Sequence, residues 1–354
     1  MKIKKVLLYI IIIIIAFSLF LWVKNRENTT VKRSVKRLKL STQISPASNS
    51  SIVLCDNGIL IEGESFNIKA RGIDGKNLWS FQLENAIKDI IACGSDFLII
   101  TERNNLFVIN KSGKKLWQYD MPSTPATILS DGDKHFIIQY NWQEHNTFEV
   151  FSNKGIKACE GIIDKAHIIS FSTSSDKYFT LSLLDVSSEK VLSKVATYNA
   201  KGEIEWAINY DSILVPKLKY VTKDNIIIIS ESSVKKYNSK GNLLKEIPLI
   251  KNLCSIAISK SLLVIIIEES GYYEIYSYDI NLNQLGTSAI KDSSNGISAE
   301  NDKYLLFNND SLTVANKYGK IIELFESSFD INAAYIYDGS VYIISNRKLI
   351  KLTH

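Results

Sequence analysis

Cysteine, proline, methionine and histidine are all scarce in this chain of 354 residues, which has four Cys, five Pro, two Met and four His. The cysteines are widely spaced, so they form neither a short-spaced disulfide framework nor a zinc-binding pattern. The sequence also lacks the serine-hydrolase elbow, the zinc-protease helix motif, a phosphate-binding glycine loop and a calcium loop. These absences argue against the enzyme classes that depend on such motifs.

Positive charge is concentrated at the amino terminus. Residues 1–50 carry ten basic side chains and one acid, a balance of +9, whereas residues 51–354 carry 32 basic and 36 acidic side chains, a balance of −4. The larger part of the chain is therefore slightly acidic, and we expect no nucleic-acid partner.

An uncharged apolar run extends over residues 6–23, after a basic flank at residues 1–5. As a helix it would span roughly 27 Å, enough to cross the hydrocarbon core of a bilayer. No small-residue cleavage site and no acylatable cysteine follows the run, so we predict an uncleaved transmembrane anchor. A buried helix of a soluble domain is the alternative, but six consecutive Ile at 10–15 leave no polar face.

The orientation of this anchor follows from two opposing signals. Seven basic residues after the apolar run would hold the carboxyl-terminal side in the cytoplasm by the positive-inside rule. A short basic amino terminus before an apolar run is the usual signal-anchor arrangement, and on this basis we expect a single pass through the cytoplasmic membrane with an extracytoplasmic domain.

Residues 24–50 are predicted to form a basic juxtamembrane tether. It is read either as a short amphipathic helix on anionic headgroups or as a solvated linker, and both interpretations stay open. Residues 38–44 alternate at their start and are a candidate strand.

A turn unit recurs through residues 51–354. Its clearest copies place a tryptophan four residues after a glycine, as in Gly75 and Trp79, Gly113 and Trp117, and Gly202 and Trp206. Weaker copies centre on Gly155, Gly241 and Gly319. The turn glycines are separated by 38, 42, 47, 39 and 78 residues, so a degenerate copy without glycine is expected at residues 279–285.

Four short apolar runs accompany each turn. In the second copy they cover residues 87–93, 97–101, 106–110 and 115–119. A four-stranded antiparallel meander of about 40 residues is one blade of a β-propeller. We expect the glycine to supply the positive φ of the turn between the third and fourth strands, and Trp79, Trp117 and Trp206 to be wedges between blades.

The repeat count predicts an all-β, eight-bladed propeller over residues 51–354. Seven turns account for seven blades, and residues 330–353 add three strands of an eighth. Because an unclosed blade would expose a bare sheet edge, we expect residues 38–44 to supply the missing outer strand. Seven blades with a partial first repeat is the alternative.

The glycine-lysine-x-x-tryptophan units at Gly75–Trp79 and Gly113–Trp117 resemble the repeats of quinoprotein-like (PQQ-like) propellers. The arrangement of anchor and repeats is similar to a functionally uncharacterised family of single-pass, membrane-anchored propeller proteins of Gram-positive, clostridia-like bacteria. It also resembles the eight-bladed BamB lipoprotein scaffold of outer-membrane assembly, and WD40-like propellers share this architecture. The resemblance implies the fold, and it leaves the activity open because propellers host many functions.

The resemblance implies that a quinone-dependent enzyme of this kind would require a calcium held by Glu, Asn and Asp, and a catalytic Asp. It would also require aromatic side chains or two adjacent cysteines packed against the quinone ring. No two cysteines are adjacent here, and later repeats replace the tryptophan with Leu244 or Ile322. We therefore predict no enzymatic activity, no cofactor and no metal site, and we retain a quinone-dependent enzyme only as the second alternative.

The remaining candidate chemistry lies at cysteines and in one hairpin. Cys55, Cys93 and Cys254 are predicted to be buried residues of inner strands, with Cys159 in a fourth strand. Trp142, Glu144 and His145 share a long polar hairpin, and His135 begins the strand before it, so the two histidines are expected at opposite ends of that strand. The hairpin is therefore a candidate partner-contact loop rather than a zinc site.

These patterns together predict a membrane-anchored binding or scaffolding propeller at the cell envelope. Its expected partners are membrane lipid, through the amino-terminal helix, and an envelope protein or cell-wall component. The first alternative is a sensor that binds a small ligand in the propeller channel.

Overall fold

A computed structural model describes residues 36–44, 51–54, 59–72, 74–174, 177–185, 187, 191–249, 252–290, 293–337, 339–346 and 348–353. Within these ranges every regular element is a β-strand. A search of the same ranges for an apolar helix of membrane-spanning length found none. The predicted anchor at residues 6–23, its flank, most of the tether and Cys55 lie outside the described residues.

The strands form eight antiparallel sheets, and each sheet is one blade. The strands of the first four blades, from the innermost to the outermost, are as follows. Blade 1 contains Ser51–Leu54, Ile59–Glu64, Asn67–Gly72 and Asn77–Gln82; blade 2 contains Ile87–Cys93, Asp96–Thr101, Asn105–Ile109 and Lys115–Asp120; blade 3 contains Thr127–Ser130, His135–Asn141, Asn146–Ser152 and Lys157–Ile162; and blade 4 contains His167–Ser174, Tyr178–Asp185, Leu192–Asn199 and Ile204–Asp211.

The other four blades repeat this order. Blade 5 contains Lys217–Thr222, Asn225–Ile229, Ser233–Asn238 and Leu243–Pro248; blade 6 contains Asn252–Ile258, Leu262–Glu269, Tyr272–Asp279 and Gln284–Ile290; blade 7 contains Gly296–Glu300, Lys303–Phe307, Ser311–Asn316 and Ile321–Glu326; and blade 8 contains Ala333–Tyr337, Ser340–Ser345, Lys348–Thr353 and Lys39–Ile44. The eight-bladed prediction is confirmed, and the seven-bladed alternative is wrong.

The ring closes through the amino-terminal segment. Lys39–Ile44 pairs antiparallel with Lys348–Thr353 and forms the outer strand of blade 8. Just before it, Lys36–Arg37 pairs in parallel with Ile321–Glu326 and adds a fifth strand to blade 7. The segment therefore covers part of one open sheet edge and completes the next sheet.

Burial explains why the middle strands carry long apolar runs. Every residue of Asp96–Thr101 is buried, because neighbouring blades cover both faces of that sheet. The outer strand Lys115–Asp120 instead alternates between exposed and half-buried positions.

The hydrophobic core is a ring of inter-blade layers. Eight clusters of buried residues are present among the described residues, and each cluster combines side chains of two adjacent blades. For example, one cluster joins Leu98 and Val108 of blade 2 to Phe136 and Phe151 of blade 3. Stability therefore resides mainly between blades, which makes the ring rigid.

The meander defines two faces of the disc. The glycine-turn face carries the turns between the first and second strands and between the third and fourth strands of each blade. The connection face carries the turns between the second and third strands and the links from one blade to the next. These two names are used below.

Candidate functional site

The predicted turn glycines all adopt the left-handed backbone conformation. Their φ angles lie between 79° and 82°, a region that costs an L side chain free energy. In each turn the glycine N–H donates to the carbonyl three residues earlier. The six glycines are Gly75, Gly113, Gly155, Gly202, Gly241 and Gly319.

The degenerate seventh turn uses Leu282 in place of glycine. Leu282 has a φ of 61°, and its N–H donates to the Asp279 carbonyl in the same pattern. The Leu282 side chain is buried, so packing in the seam between blades 5 and 6 offsets the cost of the backbone conformation.

Side-chain acceptors that sequence reasoning missed hold most of these turns. The carboxamide oxygen of Asn238 accepts hydrogen bonds from the N–H groups of Lys240 and Asn242. Asn110, Asn199, Asp279 and Asn316 make the same pair of bonds in their own turns. An Asn or Asp recurs three residues before the turn glycine, or before Leu282 in the degenerate turn. This recurrence is the sequence signal that would have revealed these acceptors.

The three tryptophans lie in the seams between blades. The indole of Trp117 packs on Gly155 of the next blade so closely that a Cβ on Gly155 would lie 2.7 Å from the ring. The Trp117 Nε1–H also donates to the Asn153 carbonyl at 3.0 Å. The same pairing joins Trp79 to Gly113 and Lys111, and Trp206 to Gly241 and Ser239.

Later blades fill the tryptophan position differently from the prediction. In blades 5 and 7 the outer strand has a β-bulge, and the register shift makes Leu244 and Ile322 the extra residues. Lys245 and Glu323 therefore occupy the position equivalent to tryptophan, and the Lys245 ammonium donates to Asn283 of the next blade at 2.8 Å. The assignment of Leu244 and Ile322 to that position was wrong, because each lies three residues after its turn glycine, where Leu78 and Leu116 are the extra residues of the same bulge in the tryptophan blades.

The predicted partner-contact hairpin lies on the connection face of blade 3. Trp142 is 45% exposed, yet it is held in place. Its Nε1–H donates to the Thr147 hydroxyl at 3.0 Å, its N–H donates to the His145 carbonyl, and its ring lies against Tyr140. Glu144 is exposed and His145 is half-buried beside it. The hairpin thus presents an ordered aromatic side chain to solvent.

His135 lies at the other end of its strand from His145, as predicted. In the described part of the chain, no three His, Cys, Asp or Glu residues approach closely enough to hold a metal ion.

The cysteines divide into buried and exposed residues. Cys93 and Cys159 are buried, and burial raises the pKa of Cys93 to about 12 and that of Cys159 to about 11, so neither thiol is activated. Cys254 is exposed, which contradicts the prediction of a core position. It is the extra residue of a bulge in the inner strand of blade 6, and the bulge turns it out of the packed layer.

A cavity of about 790 Å³ opens at the glycine-turn end of the central channel. Inner-strand ends and turns of blades 3 to 8 line it. Lys217 and Lys219 alternate on the inner strand of blade 5 and so share the channel side of that strand. Enclosure by the channel wall and then repulsion from Lys219 lower the pKa of Lys217. The channel therefore presents paired positive charge to any ligand that enters.

A buried polar cluster joins blades 3 and 4 beside this cavity. One carboxylate oxygen of Asp131 accepts hydrogen bonds from the N–H groups of Asp133, Lys134 and His135, and the other accepts one from the Thr173 hydroxyl at 2.5 Å. Burial alone would raise the pKa of Asp131, but hydrogen bonds from His135, Thr173 and the backbone lower it on balance. Asp131 therefore holds its own turn and also bonds to the neighbouring blade.

A model of a known protein family matches most of this chain. The chain belongs to the family described as "Family of unknown function (DUF5711)", whose profile matches residues 34–352. No match was found among curated proteins.

Three solved structures have similar folds at low sequence identity. BamB from Moraxella catarrhalis is 11% identical, with 90% of this chain and 100% of that chain covered and a TM-score of 0.57. Sqt1 from Saccharomyces cerevisiae is 12% identical, with 89% and 98% covered and a TM-score of 0.60. The C-terminal WD40 domain of Sif2 is 14% identical, with 90% and 98% covered and a TM-score of 0.60. The BamB-like and WD40-like propeller fold is therefore confirmed.

Proposed function

We propose that this protein is a non-enzymatic binding or scaffolding propeller, anchored by residues 6–23 in the cytoplasmic membrane, that presents its connection face to an envelope protein or cell-wall partner. The observation that carries the proposal is the Trp142 hairpin. An exposed tryptophan normally has mobile rotamers, but the Trp142 side chain is held by the hydrogen bond from its Nε1–H to the Thr147 hydroxyl and by its ring contact with Tyr140. A preordered aromatic side chain pays little conformational entropy on binding, which is typical of interface anchors.

The rigidity of the ring supports this proposal. Inter-blade clusters and the tryptophan seams hold neighbouring blades together, so hairpins on one face keep their spacing. Tyr272 is exposed in the equivalent hairpin of blade 6. A partner that spans several blades would therefore meet a preformed surface.

A crosslinking experiment in cells tests the hairpin. A photoreactive amino acid at Gln143, beside Trp142, is expected to capture one partner, and Trp142→Ala is expected to abolish the adduct. Phe66→Ala is the matched control, since Phe66 is an exposed aromatic in an equivalent turn of another blade. Equal capture by both variants would contradict a role for Trp142, and no adduct at any position in the hairpin would contradict the contact surface itself.

Membrane topology is tested separately. A peptide tag is added after His354, and both intact cells and lysed cells are then treated with protease. Loss of the tag in intact cells is the expected result for an extracytoplasmic propeller. Protection of the tag would place the propeller in the cytoplasm and redirect the search to cytosolic partners.

A second candidate function is a sensor that binds a small anionic ligand in the channel. The cavity of about 790 Å³, which Lys219 lines, and a cavity of about 270 Å³ lined by both Lys217 and Lys219 favour it. Citrate and inorganic phosphate are suitable probes, and a rise in melting temperature that is lost in Lys217→Met with Lys219→Met would support a channel site. An equal rise in the double variant would assign the effect to general salt stabilisation.

A further inference from the structure

The described turns on the two faces of the disc carry opposite charge. Among the described residues, turns of the glycine-turn face hold twelve lysines and six acids, and turns and links of the connection face hold seven acids and two basic residues. Eleven of the twelve lysines are exposed. The slightly acidic composition of residues 51–354 conceals this separation, because the charges in the described turns and links of the two faces nearly cancel.

The lysines follow the repeat around the ring. One lies beside each turn glycine: Lys76, Lys114, Lys154, Lys201, Lys240 and Lys320 in blades 1, 2, 3, 4, 5 and 7. No arginine lies in the described turns of this face. Six regularly placed ammonium groups suit a diffuse anionic surface, whereas a single bound anion would need several donors converging on one point.

Apolar side chains are interleaved with these lysines. Ile156 is 63% exposed and Tyr318 is 60% exposed, each in a glycine turn. Leu78, Ile204 and Leu243 are exposed where the outer strands of three other blades begin, at the same edge of the disc. Lysines mixed with exposed aliphatic residues are typical of surfaces that lie in the headgroup region of a bilayer.

The direction of the first described strand shows that the chain enters the propeller from the glycine-turn face. Lys36–Arg37 runs parallel to Ile321–Glu326, which starts at the turn containing Gly319. The amino-terminal end of Lys36 therefore points toward the glycine-turn face. The twelve residues from 24 to 35 reach about 40 Å at most, so an anchor at residues 6–23 would keep this face close to the bilayer.

We propose that the glycine-turn face docks on an anionic lipid surface, with the lysines contacting headgroups and the exposed apolar residues contacting the interface. This inference rests on the proposed membrane anchor, and it goes beyond it by assigning one face of the propeller to the bilayer. Docking in this orientation leaves the acidic connection face and Trp142 directed away from the membrane, where a partner can reach them.

Lysine acylation read by mass spectrometry tests the docking on the full chain. The chain is reconstituted in nanodiscs of zwitterionic lipid alone or with added phosphatidylglycerol, and the acylation rate of each lysine is measured. Rates at Lys114, Lys154 and Lys240 are expected to fall by about threefold or more with the anionic lipid, and to recover in 1 M salt, where the screening length shrinks to about 3 Å. Lys165 on the connection face is the internal control and is expected to keep its rate.

Charge reversal on the two faces provides the matched variants. Glutamate at positions 114, 154 and 240 (K114E, K154E and K240E) is expected to abolish the lipid-dependent protection of the remaining lysines on that face, because like charges then oppose approach to the bilayer. Arg103→Glu with Lys165→Glu on the connection face is expected to leave the protection unchanged. All five side chains are exposed, so both sets are expected to fold normally.

The outcomes distinguish failure of the docking proposal from failure of the proposed membrane anchor. If the chain stays with the nanodiscs through an alkaline wash but its lysines react equally in both lipids, the docking is wrong and the anchor stands. If the wash releases the chain from every bilayer, the anchor is wrong and the docking proposal falls with it. Protection of the same lysines by duplex DNA but not by anionic lipid would identify a nucleic-acid surface and overturn the lipid assignment.

Discussion

Blade 3 shares one seam with blade 2 and another with blade 4, and the two seams are held by different forces. In the seam with blade 2, the Trp117 ring packs on Gly155 and lies near Phe136 and Phe151, at centroid distances of 6.0 and 5.7 Å. In the seam with blade 4, Cys159 takes the tryptophan position four residues after the turn glycine.

Buried hydrogen bonds take a larger role in the second seam. The Gln139 side chain is fully buried, accepts a hydrogen bond from the Ile168 N–H at 2.8 Å and donates one to the Ala166 carbonyl at 3.2 Å. Asp131 reaches across the same seam to Thr173. The same blade geometry is therefore stabilised either by aromatic packing, which tolerates small shifts, or by directional bonds, which do not.

The largest expected effect is the loss of the aromatic wedge. Trp117→Ala removes a ring that contacts two aromatic side chains and a neighbouring backbone, so we expect the free energy of unfolding to fall by about 3 kcal/mol. Urea denaturation measures the change. Trp142→Ala removes an exposed tryptophan of the same blade and is expected to cost less than about 0.5 kcal/mol. Equal losses would show that Trp117 is not a wedge.

A somewhat smaller loss is expected in the polar seam. Gln139→Leu keeps the approximate volume but leaves the Ile168 N–H and the Ala166 carbonyl without this buried partner. We expect a cost of about 2 kcal/mol, from the same urea experiment. A neutral result would mean that packing rather than hydrogen bonding holds blades 3 and 4 together.

Alanine substitutions at Gly155 and at Gly132 separate the cost of backbone strain from the cost of a clash with Trp117. Gly155→Ala must accept a φ of 82° and a clash with Trp117, whereas Gly132→Ala meets a similar φ with no atom within 4 Å of the new Cβ. We expect about 1 kcal/mol for Gly132→Ala and a clearly larger loss for Gly155→Ala. In a Trp117→Ala background the excess is expected to disappear, and additive losses in the double variant would contradict the contact.

The smallest expected effect is a pH dependence confined to the polar seam. Because the pKa of Asp131 in the folded protein lies below its ordinary value, the unfolded chain binds more protons in that pH range. Its stabilisation is therefore complete above the ordinary pKa of aspartate and is lost as the pH falls through the lowered value.

Asp131→Asn is the comparison for that measurement. The difference in unfolding free energy between the natural protein and Asp131→Asn is expected to shrink as the pH is lowered from neutral toward the acid range. Trp117→Ala retains Asp131 and is expected to follow the natural pH profile. A difference that stays constant with pH would show that the Asp131 carboxylate does not stabilise the seam through its charge.

Sequence reasoning reached the repeat because each blade must solve the same local problems. A tight turn needs a positive φ, and an interior strand needs an apolar run, so glycine and isoleucine recur at the blade period. The correct positions of Trp79, Trp117 and Trp206 in the seams followed from their fixed distance to those glycines. Cys254 was misplaced because the prediction ignored a β-bulge, whereas Leu244 and Ile322 were placed one residue away from the position four residues after the turn glycine.

The candidate functional surfaces were harder to predict because they join residues that are distant in sequence. The charged faces are invisible to a composition count, because lysine-bearing turns alternate along the sequence with acidic turns or links in blades 1, 2, 3, 5 and 7. The Asp131–Thr173 bond likewise spans 42 residues and two blades.

What the sequence by itself determined is the blade: its length, its turns, its apolar strands and the number of copies, because these depend on local backbone geometry and on the two-residue period of a strand. Only the tertiary structure decided that Lys36–Arg37 adds a fifth strand to blade 7, which side chains meet in each seam, and that lysines gather on one face of the disc. Those features arise when eight blades pack around one axis, and packing brings together residues that no local pattern relates.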